Sequence, residues 1–139
     1  MAVEINITYH GGLRCAATHK PSGQTLSTDA PLDNGGKGEA FSPTDLVATA
    51  LGTCMATIMG RVADQNNLNL DGLQIRVLKE MATDPVRRIS ALKTRLVFPR
   101  AAALSAADRA KLEAAARACP VKQSLHPEVQ LPIEFVYPA

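Results

Sequence analysis

Apolar and polar residues alternate over residues 3–9, with Val3, Ile5, Ile7 and Tyr9 on one side and Glu4, Asn6 and Thr8 on the other. The alternation resumes over 13–18 after His10-Gly11-Gly12, which predicts a β-hairpin turned at the glycines. A third strand is expected over 24–28. From 29 to 41 the pattern is lost. Pro31, Asn34, Gly35, Gly36 and Gly38 disfavour helix and strand alike, so this segment reads as loop.

The period then changes to that of a helix, expected over 43–65. Ser42 can cap it, Pro43 suits the first helical position, and Asp45 stands where a capping box needs its acidic residue. At a spacing of four, Leu46, Ala50, Cys54 and Ile58 form one row, and Val47, Leu51, Met55 and Met59 the next. Ala48, Gly52, Ala56 and Gly60 make a row of small residues; Thr49, Thr53 and Thr57 fill the last. A helix apolar around most of its circumference is expected to be central and buried. Gly52 and Gly60 each lower helix propensity by about 1 kcal/mol against Ala, so close packing along the small row is the expected compensation.

Alternation returns over 73–80, Thr83-Asp84-Pro85 turns the chain, and a longer strand follows over 88–98. Ser105 and Asp108 mark a second capping box, opening a helix to about 118. Pro120 disfavours helix at Cys119 and permits a new start, giving a short helix over 120–125 and a last strand over 130–137. The order is strands, helix, strands, helix, strand, an α+β class rather than a doubly wound sheet. At 139 residues, without linker or repeat, a single domain over 1–139 is expected.

Composition removes several function classes. Net charge is +2, the 15 basic residues are scattered, and two Tyr, three Phe and no Trp give few stacking platforms, so nucleic acid is not an expected partner. The uncharged run over 46–60 is short and rich in Thr for a bilayer span, and residues 1–5 alternate like a strand rather than a signal peptide. Three cysteines without an export signal point to a reducing, cytoplasmic setting.

Chemistry therefore centres on thiols. Cys54 sits mid-helix, where it is either a small core residue or a nucleophile shielded from water; the helix dipole does little for it there. A reactive Cys54 needs positive charge from elsewhere. Cys119 occupies the N-cap position before Pro120, where free backbone N–H groups favour a thiolate, and Leu112 on the same face turns it inward. A tight helix-to-helix corner explains the same residue equally well. Cys15 alternates with Leu13 and Ala17 and reads as core filler. Arg14 and Glu39 are each ordinary as exposed charges, yet a guanidinium tied to a carboxylate suits thiol activation. His10, His19 and His126 lack metal-ligand spacing with the cysteines, and neither a metal nor another cofactor is expected.

The glycine loop before Ser42-Pro43-Thr44-Asp45-Leu46, the helix carrying Ala50-Leu51-Gly52-Thr53-Cys54, and Ala118-Cys119-Pro120-Val121 together resemble the OsmC/organic hydroperoxide resistance family. The resemblance implies an intertwined α+β homodimer with two long central helices back to back and two thiol peroxidase sites at the subunit interface. It places Cys54 as the peroxidatic cysteine, Cys119 as the resolving one and Arg14 as the activating arginine. It further implies an organic hydroperoxide substrate and a dithiol reductant of lipoyl type; Leu51, Met55 and Ile58 near Cys54 agree with an organic peroxide. One position departs: the hydroperoxide resistance branch has Glu after the helix-opening proline, and here that residue is Thr44. Glu39, or Asp45, then takes the acidic role. The other functional reading is a small-ligand or redox-sensing protein on the same scaffold without efficient turnover.

Overall fold

The computed structural model describes all 139 residues. Six strands and three helices run β1 (Ile5–Gly11), β2 (Arg14–His19), β3 (Thr25–Asp29), α1 (Pro43–Gln65), β4 (Gln74–Ala82), β5 (Arg88–Val97), α2 (Ala106–Arg117), α3 (Pro120–Ser124) and β6 (Ile133–Val136). This is the expected α+β order. The strands form two antiparallel-based sheets, β1-β2-β3 and β4-β5-β6, the last pair parallel. Two compact units divide the chain, Met1–Val47 and Ala48–Ala139.

In the first unit, Gly12 and Leu13 turn β1 into β2 with both φ angles at 63°. Two consecutive left-handed residues match the twist of a tight hairpin, which is why a glycine stands at the first of them. The Leu13 N–H donates to the Tyr9 hydroxyl (3.3 Å), helping hold a conformation uncommon for a branched residue. Register shifts between Tyr9 and Gly11, so Gly11 pairs with Arg14 and the strand end is re-aimed. β2 then pairs with β3, Cys15 opposite Thr28 and Arg14 opposite Asp29. Within the loop, a short 3-10 turn covers Leu32–Asn34. Gly36 is obligatory, since a Cβ there would lie 1.8 Å from the Ala30 carbonyl oxygen. The capping box at α1 is present: Ser42 N–H donates to Asp45 Oδ2 (2.9 Å) and Asp45 N–H to Ser42 Oγ (3.1 Å).

The second unit holds the hydrophobic core. Leu51, Met55 and Met59 of α1, Leu92 and Leu96 of β5, Leu112 and Ala116 of α2, and Cys119 are fully buried. Each large aliphatic side chain removed from water contributes roughly 1.5–3 kcal/mol. Behind them Phe98 stacks on Tyr137 at 4.7 Å, with the Arg109 guanidinium 4.2 Å from the Tyr137 ring centre. The Tyr137 hydroxyl donates to Glu113 (2.8 Å), fastening the C-terminal segment to α2. Ser105 and Asp108 form the second capping box.

Helix α1 corrects one expectation. It buries a single stripe, Ala48, Leu51, Gly52, Met55, Met59 and Ala63, rather than most of its circumference. Thr49, Thr53 and Thr57 are exposed, and Thr53 and Thr57 return their hydroxyls to carbonyls one turn back (2.7 and 2.8 Å), which makes them self-sufficient without a neighbour. In the small row, Gly52 packs on β4, where a Cβ would sit 3.1 Å from Val77 Cγ2, while Gly60 faces open space. Close packing therefore compensates one glycine and not the other. The 23-residue helix is also long and apolar enough to cross a membrane by length and composition, unlike its uncharged portion alone, as core helices can be.

Candidate active site

Two clusters of chemistry-bearing side chains emerge, one in each unit. In the second unit, α1 carries Cys54 at its midpoint on the half-exposed row with Ala50 and Ile58, beside the buried stripe. Cys119 ends the irregular residue pair after α2 and caps α3, with an extended backbone (φ −62°, ψ 138°) and Pro120 at the first helical turn. Its Sγ accepts the Lys122 N–H at 3.3 Å. The corner turns this thiol fully inward, as the alignment with Leu112 suggested. Cys54 and Cys119, far apart in sequence, stand within hydrogen-bonding reach of each other, both as free thiols.

Their environments differ. Burial pushes the Cys119 thiol above its ordinary value of 9.0, the Lys122 N–H opposes this, and the neighbouring Cys54 adds to the rise. Cys119 is accordingly a protonated thiol at neutral pH despite its N-cap position. Cys54 is the more accessible of the pair. A half-exposed thiol beside a buried one can be oxidised first and then resolved by its partner. Of the apolar residues expected to favour an organic peroxide, Leu51 and Met55 point into the core and Ile58 shares the row of Cys54.

In the first unit, Arg14 and Glu39 are brought together: Arg14 Nη2 donates to Glu39 Oε2 at 2.7 Å. The same nitrogen donates to Asp29 Oδ2 at 3.3 Å. Asp29 is essentially inaccessible, whereas Arg14 and Glu39 side chains are 43% and 57% exposed. The Glu39 N–H, then the Arg14 guanidinium, hold the Asp29 carboxyl below the usual carboxylate range against the effect of burial. Asp29 first and Glu39 second raise the Arg14 pKa further, so it is permanently charged. Asp45 is committed to the capping box of α1. Thr44 Oγ1 lies 3.3 Å from Ser42 Oγ.

Asp29 closes β3, one residue beyond the strand end that its alternation predicts, and so carries no signal of its own in the sequence. Pairing register carries the missing signal: a carboxylate directly across the sheet from Arg14 is its natural partner. Cys15 is not core filler in this chain. It is half-exposed and stands opposite the exposed Tyr9 in the hairpin. No group of three or more His, Cys, Asp or Glu is placed to hold a metal ion.

The OsmC-like protein family model matches residues 36–134, a span holding the glycine loop, α1 with Cys54, and Cys119. The chain belongs to the OsmC-like family. A Psychrobacter arcticus 273-4 protein named for osmotic stress induction and a detoxification response shares 40% identity over 94% of this chain and 93% of its own, with a TM-score of 0.88. The OsmC-like fold is shared at low identity with an organic hydroperoxide resistance protein of Legionella pneumophila (16% identity, TM-score 0.75, 98% of this chain and 97% of that one). It is shared likewise with the organic hydroperoxide resistance protein OhrB of Bacillus subtilis (17%, 0.69, 97% and 98%). Among curated proteins, none matches the sequence.

Proposed function

We propose that this OsmC-like protein is a thiol-dependent peroxidase that reduces organic hydroperoxides. The observation that carries the proposal is the contact between the accessible Cys54 and the buried Cys119. The Cys54 thiolate attacks the terminal oxygen of ROOH, the O–O bond breaks, and protonation of the leaving alkoxide gives ROH and Cys54 sulfenic acid. The Cys119 thiol then displaces water from that sulfenic acid to form a Cys54–Cys119 disulfide. A dithiol reductant restores both thiols by two exchanges and leaves as its own disulfide.

Arg14 is assigned the activating charge. The helix dipole fades beyond the terminal turns and does little at the midpoint of α1, and a guanidinium held by two carboxylates is a fixed cation suited to that work. Placement of Arg14 on Asp29 and Glu39 supplies the acidic partner that Thr44 lacks, which favours turnover over the ligand-binding or sensing reading. Cys54→Ser should abolish consumption of tert-butyl hydroperoxide in the presence of a dithiol. Retained turnover in that variant would sink the assignment.

A homodimer belongs to the same proposal. Ile5, Ile7 and Tyr9 project from one face of β1 at 50%, 66% and 62% exposure, with Leu26 of β3 at 44%. By register these join Ala17 and Cys15 into one apolar face. A soluble chain that leaves such a face open is expected to cover it with a second copy.

A further inference from the structure

The geometry points to Asp29 as a positioning residue that keeps Arg14 in place when Glu39 lets go, an inference that rests on the role given to Arg14 above. Three observations carry it. Arg14 spends one nitrogen, Nη2, on both carboxylates, so its fork is shared rather than paired with either. Glu39 holds the shorter bond, but its side chain is exposed and follows Gly38, which has a left-handed φ of 62°. Asp29 is buried, and its Oδ1 has no hydrogen-bond partner although it is shut off from solvent.

A buried, idle carboxylate oxygen is rare in a folded chain and calls for a use. Asp29 is also held through both its backbone and its side chain. Its N–H donates to the Phe41 carbonyl (3.1 Å), and its Oδ2 accepts the Glu39 N–H (3.1 Å). The Ala30 N–H alongside is bonded to the Leu13 carbonyl (3.2 Å) and contributes least among the groups that lower the Asp29 carboxyl, with no formed hydrogen bond on Oδ1. When the Glu39 carboxylate swings away, the planar guanidinium can turn and place two N–H groups on Oδ1 and Oδ2 together, the bidentate geometry that Arg prefers. Glu39 is then the exchangeable partner, replaceable by an oxygen of an incoming substrate, and Asp29 the permanent one.

The sign of the expected effect separates positioning from simple charge. Removing a negative charge near Arg14 would, by Coulomb's law alone, favour the Cys54 thiolate and lower its apparent pKa. Loss of positioning does the reverse. The test is alkylation of Cys54 by iodoacetamide against pH in the full chain, each cysteine resolved by peptide mass spectrometry. Asp29→Asn should raise the apparent Cys54 pKa by about one unit, slowing alkylation near neutral pH about tenfold. Glu39→Gln should slow alkylation clearly less than Asp29→Asn does, and the double variant should fall below the product of the two single effects.

A lowered or unchanged pKa in a folded Asp29→Asn, with Arg14→Ala raising it, would overturn the inference alone. An unchanged profile in Arg14→Ala would overturn the activation reading and the inference with it. Should Asp29→Asn fail to fold, proton exchange at the Arg14 side chain in Glu39→Gln decides: retained protection supports Asp29 as the anchor, and lost protection rejects it.

Discussion

In Ala48–Ala139 the large apolar side chains shut off from water are Leu51, Met55, Met59, Leu92, Leu96, Phe98 and Leu112, whereas in Met1–Val47 the buried residues are Asp29 and Ser42. One unit is built on an apolar core. The other is built around a carboxylate and a capping hydroxyl, with its best alternating strand, β1, exposed along its length. Period-two alternation makes a strand with one apolar face, but burial of that face depends on what else is at hand. In this chain the second unit fills its interior from its own elements. The first spends its buried positions on fixing Arg14 and starting α1, and its apolar face stays exposed.

The largest expected effect lies in the apolar unit. Leu96→Ala should cost about 2–5 kcal/mol by urea denaturation, since it removes a fully buried side chain from a packed core. Ile7→Ala should cost far less in dilute, monomeric protein; a comparable cost there would erase the contrast between the units. Next in size is assembly. Ile7→Glu places a charge in the face proposed to meet a second copy, and should weaken association about a hundredfold or more, each factor of ten being about 1.4 kcal/mol. Sedimentation at low concentration reads it, and an unaltered dimer would move the interface elsewhere. Gly52→Leu, by contrast, should damage the packing of α1 on Ile75 and Val77 within one chain.

The two units should also respond to pH in opposite directions. Asp29 titrates below its ordinary 3.8, so the stability it contributes is present above that value and lost as pH falls through its folded pKa. Cys119 titrates above 9.0, so its contribution is complete below 9.0 and lost as pH rises towards the folded value. Protection of the Glu39 amide, taken relative to its intrinsic exchange rate, should therefore fall in acid in wild type, with no matching acid step in Asp29→Asn. Stability to urea in the wild type should fall in base as the buried Cys119 thiol is ionised, and Cys119→Ser should remove that alkaline step. The smallest effect is expected on the threonine row: Thr53→Ala should change stability by no more than about 0.5 kcal/mol, because its hydroxyl serves only its own helix.

Much of this architecture was legible in the sequence because local chemistry specified it. Capping residues Ser42, Asp45, Ser105 and Asp108 set two helix starts, and Pro120 set the third. Cys119 at a proline-marked corner was legible for the same reason. What could not be read depends on pairing across the chain. The parallel partnership of β5 with β6 and the opposition of Arg14 to Asp29 follow from register, which no single segment displays. The half-exposure of Cys15 and the single buried stripe of α1 follow from how much surface the rest of the chain supplies. A hydrophobic pattern states which face seeks cover, but not whether one copy provides it.

The most direct test of the central claim is a thiol map after peroxide. The reduced protein is treated with one equivalent of tert-butyl hydroperoxide, free thiols are alkylated, and the digest is read by mass spectrometry. The expected result is one intramolecular disulfide joining Cys54 to Cys119, with Cys15 still alkylated. In Cys119→Ser, Cys54 should appear as sulfenic or sulfinic acid. Three alkylated cysteines after treatment, or peroxide loss undiminished in Cys54→Ser, would contradict a peroxidase built on this pair.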